Sequence, residues 1–221
     1  MSDARALVAE MRAALEPLDR RLAGHPYLAA LEEGRIAKEK LRLVAGEQHH
    51  IIASDLRSIA LLLNRHAHLP SRDYLLELLQ GEVAASEALP AFAAAVGASG
   101  DGLAAYEPLA GCQAYPAYVA WLALYGTDAD FAAAFLVNLP TWGALCERMS
   151  AALRGAYGLA PEAVAFFDLF AAPQPEFEAG SLRVIQAGLD RGVDAASVGR
   201  AARMIQAYEL MYWDALYEAS A

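Results

Sequence analysis

One carboxylate stands where a helix of a folded protein normally keeps hydrocarbon. Val198, Ala202, Ile205, Glu209, Tyr212 and Leu216 recur at spacings of three and four residues, so they share one helical face. Burial of that face strips water from Glu209, and its carboxyl must then be hydrogen-bonded, paired or neutral. A second stripe, Val44, Gln48, Ile51, Asp55, Ile59 and Leu62, is interrupted by two polar groups, with Glu47, His50, Ser54 and Arg57 in a polar row beside it. Gln48 is a poor acid or base, but its amide both donates and accepts and suits an amide or pyrimidine edge.

Other groups with chemical potential lie further along. Tyr115, Tyr118, Leu122 and Tyr125 form a tyrosine-rich face, and Phe131, Phe135, Asn138, Trp142, Leu145 and Met149 form the next one, interrupted by Pro140. Thr141 after that proline either bonds a backbone carbonyl or touches a ligand. Glu47-x-x-His50 has the i, i+3 spacing of di-iron carboxylate bundles. No second ligand set accompanies it, and all five histidines precede Leu69, so no metal is expected. His49 and His50 are adjacent and point about 100° apart on a helix, so they cannot both face one small pocket. Cys112 and Cys146 lack CxxC spacing, which argues against a disulfide framework or structural zinc and for a reducing cytoplasm.

These residues need rigid helices to hold them. The 221 residues suit one domain, 1–221, and a composition of 57% hydrophobic and 20% charged residues favours a chain with much internal surface. The net charge of -10 is spread along the chain, and no basic patch with interleaved aromatics occurs, so neither nucleic acid nor an anionic membrane is an expected partner. Charges recur through the first fifteen residues, giving an amphipathic helix rather than a signal peptide. Apolar runs such as Ile59 to Leu63 fall short of the ~20 residues of a membrane span.

Helical periodicity dominates throughout and predicts an all-α bundle of seven to eight helices. The first runs from about Ser2 to Ala23, with Leu7, Met11, Leu15, Leu18 and Leu22 as its buried stripe. His25-Pro26-Tyr27 opens a short helix that closes near Gly34. Longer helices are expected over about Ala37 to Asn64 and Arg72 to Ala95, then a glycine-rich loop from Gly97 to Pro108. Three helices follow, about Ala114 to Tyr125, Ala129 to Tyr157 (capped by Thr127 or Asp128) and Pro161 to Phe170. After a break from Ala171 to Pro175 come Glu176 to Asp190 and the last helix, Ala195 to Ser220.

Four places in this order resemble the TenA/THI-4 family of the haem-oxygenase-like superfamily. They are His25-Pro26 with Gly34, Gly46-Glu47-Gln48-His49, Ala114 to Tyr118 leading to Leu139-Pro140, and Glu209 to Asp214. The resemblance spans nearly the whole chain and implies a haem-oxygenase-like bundle with an internal pocket. It also implies a small-molecule ligand, no cofactor and a homodimer or homotetramer. The family's best-known activity is hydrolysis of thiamin fragments at a C–N bond by a cysteine, with acids and tyrosines holding an aminopyrimidine. Carried over, its pocket tyrosine matches Tyr115 and its late glutamate Glu209, with Tyr212 in place of phenylalanine. Gln48 stands for its aspartate, Thr141 for the cysteine, Leu145 for a tyrosine, and Phe166 or Phe167 for a third tyrosine.

A threonine without a positioned base is a poor nucleophile, so the usual cysteine route is not expected. The catalytic candidates are Glu209 as acid/base and Tyr115 as its orienting partner. The ligand-binding candidates are Gln48, Glu47, Tyr118, Thr141, Trp142 and Phe167. Two other readings remain, a non-catalytic member acting through its surface and a metal-dependent oxygenase-like relative. For the latter, Phe170, Gln174 and Phe177 stand where a late His-x-x-x-Asp-x-x-His run would. A haem-degrading enzyme needs an axial histidine on the first helix, where Asp19, Arg20 and Arg21 stand.

Overall fold

The computed structural model describes residues 3–98, 100–172 and 174–221; the expected start at Ser2 and the Pro173 of the expected break lie outside them. Among the described residues the secondary structure is helical: α1 Ala4–Ala23, α2 Pro26–Glu32, α3 Leu41–Arg65, α4 Ser71–Ala95, α5 Asp101–Ala104, α6 Ala110–Tyr125, α7 Asp128–Gly155, α8 Pro161–Ala171, α9 Pro175–Asp190 and α10 Ala195–Ser220. The expected loop from Gly97 to Pro108 is corrected, because α5 makes one turn inside it, too short to show a hydrophobic period. Helix α6 begins a turn earlier than periodicity suggests, after Leu109 donates its N–H to Glu47 Oε1 at 2.8 Å. Thr127 rather than Asp128 caps α7, in a reciprocal box with Asp130. His25 caps α2, its Nδ1 accepting from the Tyr27 N–H, which leaves Nε2 to donate to Asp214 at 3.1 Å and tie α2 to α10.

α10 runs through the middle of the bundle, packed on α7, α6 and α1, while α3 packs on α4 and α6 and α7 on α8 and α9. Helix α7 is long and apolar enough to cross a membrane by length and composition, but 78% of its apolar window is buried inside the bundle, as in a core helix.

The apolar side chains gather in two clusters. One holds Leu28, Phe92, Cys146, Phe166, Phe167, Trp213 and Leu216; the other holds Leu122, Phe131, Phe135, Val198, Ala202 and Ile205. The long helices cross from one cluster to the other, and where they cross they carry polar groups. α10 has Gln206 and Glu209 at the crossing, α7 has Asn138, α3 has Asp55 and α4 has Glu82. A polar layer thus separates two apolar cores.

Close helix approach holds that layer in register. At Gly111 of α6 a Cβ would lie 2.7 Å from the Ala215 Cβ of α10 and 3.1 Å from the Met211 carbonyl. Overpacking costs about 1–3 kcal/mol, more than the ~1 kcal/mol of helix propensity that alanine gains over glycine. Gly111→Ala is therefore expected to lower stability in urea unfolding, and adding Ala215→Gly should return part of the loss. An unchanged midpoint in the single variant would contradict this packing.

Candidate functional site

The polar layer encloses a cavity. Gln48, Asp55, Glu82, Tyr115, Asn138, Glu209 and Tyr212 supply its polar wall, and Ile51, Ile52, Phe135, Leu139, Trp142 and Phe170 its apolar wall. The volume open to the centres of water molecules is about 40 Å³. No lysine, arginine or histidine lines it. Leu139 and Phe170 also wall two outer spaces of about 290 and 220 Å³, the second of which shares Glu82 as well.

Glu209 is 5% exposed, and both of its oxygens are held. Trp213 Nε1, one turn on, donates to Oε1 at 2.8 Å, and Asn138 Nδ2 donates to Oε2 at 3.3 Å. Asn138 is shared: its Oδ1 accepts from the Tyr115 hydroxyl at 2.9 Å and its Nδ2 also reaches Gln206 Oε1 at 3.1 Å. Gln206 Nε2 in turn donates to Asp19 at 2.6 Å and to Thr141 Oγ1 at 3.2 Å. Across the cavity Gln48 Nε2 donates to the Tyr212 hydroxyl at 3.1 Å. Burial pushes the Glu209 carboxyl up to about 7, its two hydrogen bonds offsetting only part of the desolvation. The Tyr115 and Tyr212 phenols are pushed well up by burial and stay neutral.

The cavity brings together Gln48, Tyr115, Trp142 and Glu209 from the sequence-derived candidates. It does not include the other four. Glu47, next to Gln48, points about 100° away around α3 and binds the Tyr106 hydroxyl at 2.7 Å and the Leu109 N–H. Tyr118 stacks on Trp121, with ring centroids 5.7 Å apart, and leans on Tyr208 at the half-buried outer side of α6. The Thr141 hydroxyl donates to the Val137 carbonyl one turn back. Phe167 is fully buried, edge-to-face with Phe92 at 4.9 Å, in the apolar core. His50 is committed to the Tyr106 carbonyl at 2.7 Å.

Sequence reasoning left four members of the layer unassigned, Asp55 among them as a polar interruption of its stripe without a role. Asn138 stood in a stripe without a role, and Gln206 lies one turn before Glu209. Glu82 continues the spacing Leu75, Leu78, Glu82, Ala85, Leu89 and carried the same signal as Glu209. Neither cysteine lines the cavity; both are fully buried, and burial raises both thiols, so a thiolate is disfavoured.

Among the described residues, one trio of metal-ligating side chains converges, with its atoms within 4.8 Å of one another: His66, His68 and Asp128. Asp128 already accepts from Arg191 Nη2 through both oxygens at 2.7 Å and from Ser71, so an arginine fills the cation position. Haem finds no axial histidine on α1, where Asp19 instead binds Gln206.

The family model described as TENA/THI-4/PQQC matches residues 12–219. Among curated proteins none matches the chain. A TenA homologue from Pseudomonas syringae superposes with a TM-score of 0.82 at 12% identity, covering 96% of this chain and 93% of that one. A protein described as a putative TenA-like thiaminase from Sulfolobus solfataricus gives 0.70 at 14% identity, with 96% and 97% covered. Haem oxygenase-1 from Synechocystis, solved with haem, gives 0.69 at 15% identity, with 96% and 91% covered. At such identities the structures share the fold.

The raised Glu209 carboxyl links stability to pH. Below pH 4.5 it is neutral whether the chain is folded or not. Between 4.5 and about 7 the unfolded chain ionises while the folded one keeps its proton, so stability falls as pH rises, and above about 7 the loss is complete. At 1.36 kcal/mol per pKa unit the loss is about 3 kcal/mol. Glu209→Gln lacks this component and should gain on the wild type between pH 4.5 and 8 in urea unfolding; parallel profiles would show Glu209 to be ionised throughout.

Proposed function

The chain belongs to the TENA/THI-4/PQQC family, and from that premise we propose that its cavity binds an amine-bearing nitrogen heterocycle of the aminopyrimidine class and hydrolyses a C–N bond in it. The observation that carries this reading is Glu209, a buried carboxyl with a pKa raised to about 7 on a cavity wall that has no cationic side chain. Such a group accepts a proton as a carboxylate or donates one as an acid near neutral pH, as general acid–base work requires. Tyr115 and Gln48 add hydrogen-bonding edges of either sense, and Trp142, Phe135 and Phe170 offer faces to a flat ring. The wall without cations disfavours phosphorylated ligands.

Water is the nucleophile in this reading. The Thr141 hydroxyl is engaged outside the cavity, and both thiols are buried away from it. Water adds its oxygen to the carbon that bears the amine, Glu209 takes the proton from that water, and the C–N bond breaks as the departing nitrogen is protonated. The balance is amine plus water giving alcohol plus ammonia. Leu139 and Phe170 divide the cavity from the two outer spaces, so their outward movement would enlarge it for a larger ring.

Thermal-shift titration of aminopyrimidines, thiamin and related heterocycles tests binding. At a hundredfold excess over Kd a ligand adds about 2.7 kcal/mol, which raises Tm by roughly 5–10 °C for a chain of this size. The shift is expected with an aminopyrimidine and should vanish in Glu209→Gln, with ammonia release following in the wild type. No shift from any heterocycle would refute the reading, and a shift without ammonia would leave a binding protein.

A further inference from the structure

The cavity wall also holds a second pair of acids. Asp55 comes from α3 and Glu82 from the adjoining α4. Asp55 is 2% exposed, lines the cavity, and its Oδ1 has no hydrogen-bond partner. Buried carboxylate oxygens are seldom left so. The contrast with Glu209 is direct, since both Glu209 oxygens have N–H donors from the protein. Asp55, Glu82 and Glu209 do not bring three ligand atoms within 4.8 Å of one another, so they are spread around the wall rather than gathered about one ion.

The approach has the same charge. Glu82 also lines the outer space of about 220 Å³, together with Glu77 and Glu176, and no lysine, arginine or histidine lines that space. Three carboxylates around one space with no facing cation favour cations there over anions. Among the residues lining the cavity and this space, no cation faces Asp55 and Glu82.

We infer that Asp55 and Glu82 form a second acidic pole of the cavity, which recognises a protonated amine on an arm of the ligand, distinct from the amino group whose C–N bond is hydrolysed at Glu209. The inference rests on the proposed function for the heterocycle, and on Asp55 and Glu82 alone for the amine. An ammonium has three N–H donors and can serve Asp55 Oδ1 and Glu82 together. Burial first, and the neighbouring Glu82 second, raise the Asp55 carboxyl well above the usual carboxylate range, and burial raises Glu82 to about 7, so a bound ammonium favours ionisation of both. The pole makes Asp55 and Glu82 specificity residues, separate from the proton transfer assigned to Glu209.

Calorimetric titration with three probes tests the pole: an aminopyrimidine with a primary-amine arm, the same ring without the arm, and propylamine. The wild type should bind the armed ring at least tenfold more tightly than the bare one. Asp55→Asn and Glu82→Gln should each remove most of that advantage and leave bare-ring affinity within about twofold, whereas Glu209→Gln weakens both rings. Equal losses for both rings in Asp55→Asn, or no advantage of the arm in the wild type, would overturn the pole. If neither ring binds but propylamine does, with an affinity that falls in Asp55→Asn, the heterocycle reading fails and the pole stands. If no amine binds, the pole fails. Asp55→Asn removes an unpartnered buried acid and should melt no lower than the wild type; if it does melt lower, the Glu82→Gln titration decides.

Discussion

The amide of Asn138 joins three helices at the level where the two apolar cores meet. From α7 it accepts from Tyr115 on α6 and donates to both Gln206 and Glu209 on α10. A buried amide with a partner for its oxygen and for its nitrogen is stable only when both are in place, because an unmet polar group there costs about 1–3 kcal/mol. The rotation of α10 relative to α6 and α7 is fixed accordingly. Apolar packing alone would tolerate small slips of these helices, whereas the amide network specifies one register and with it the position of the Glu209 carboxyl.

The same layer explains why a cavity exists between two well-filled cores. Rings and branched side chains fill each apolar cluster, with Phe131 stacked on Phe135 at 4.4 Å in one and Phe92 against Phe167 in the other. Short polar side chains bonded to one another cannot fill the space where the clusters meet as large apolar ones would. Carboxyls kept from water there favour their neutral forms. The layer thus costs stability to maintain, and such a cost at the centre of a bundle is a common mark of a site.

Much of this was legible in the sequence, and the reason is periodicity. The long helices declared themselves through spacings of three and four, whereas α5 has only four residues and no period to show. Glu209, Gln48, Tyr115 and Trp142 were visible because each interrupts or borders an apolar stripe. Glu47 and Thr141 were drawn in by adjacency to such residues, but one step along a helix turns a side chain by about 100°. Tyr118 lies one turn beyond Tyr115 and ends among surface aromatics. Glu82 bore the stripe signal on α4, yet its meaning depends on Asp55 of the neighbouring helix, and the pairing of α3 with α4 is a tertiary fact that no local pattern contains.

Leu139 and Phe170 wall the inner cavity and both outer spaces at once. The size of ligand that fits is therefore governed by two apolar side chains that take no part in the hydrogen-bonded layer. Trimming either one would merge compartments of about 40, 220 and 290 Å³ without disturbing an acid or an amide. Under the proposed function, which molecules enter and what is done to them can therefore change independently: substitutions at positions 139 and 170 alter the first and leave the Glu209 carboxyl in place for the second.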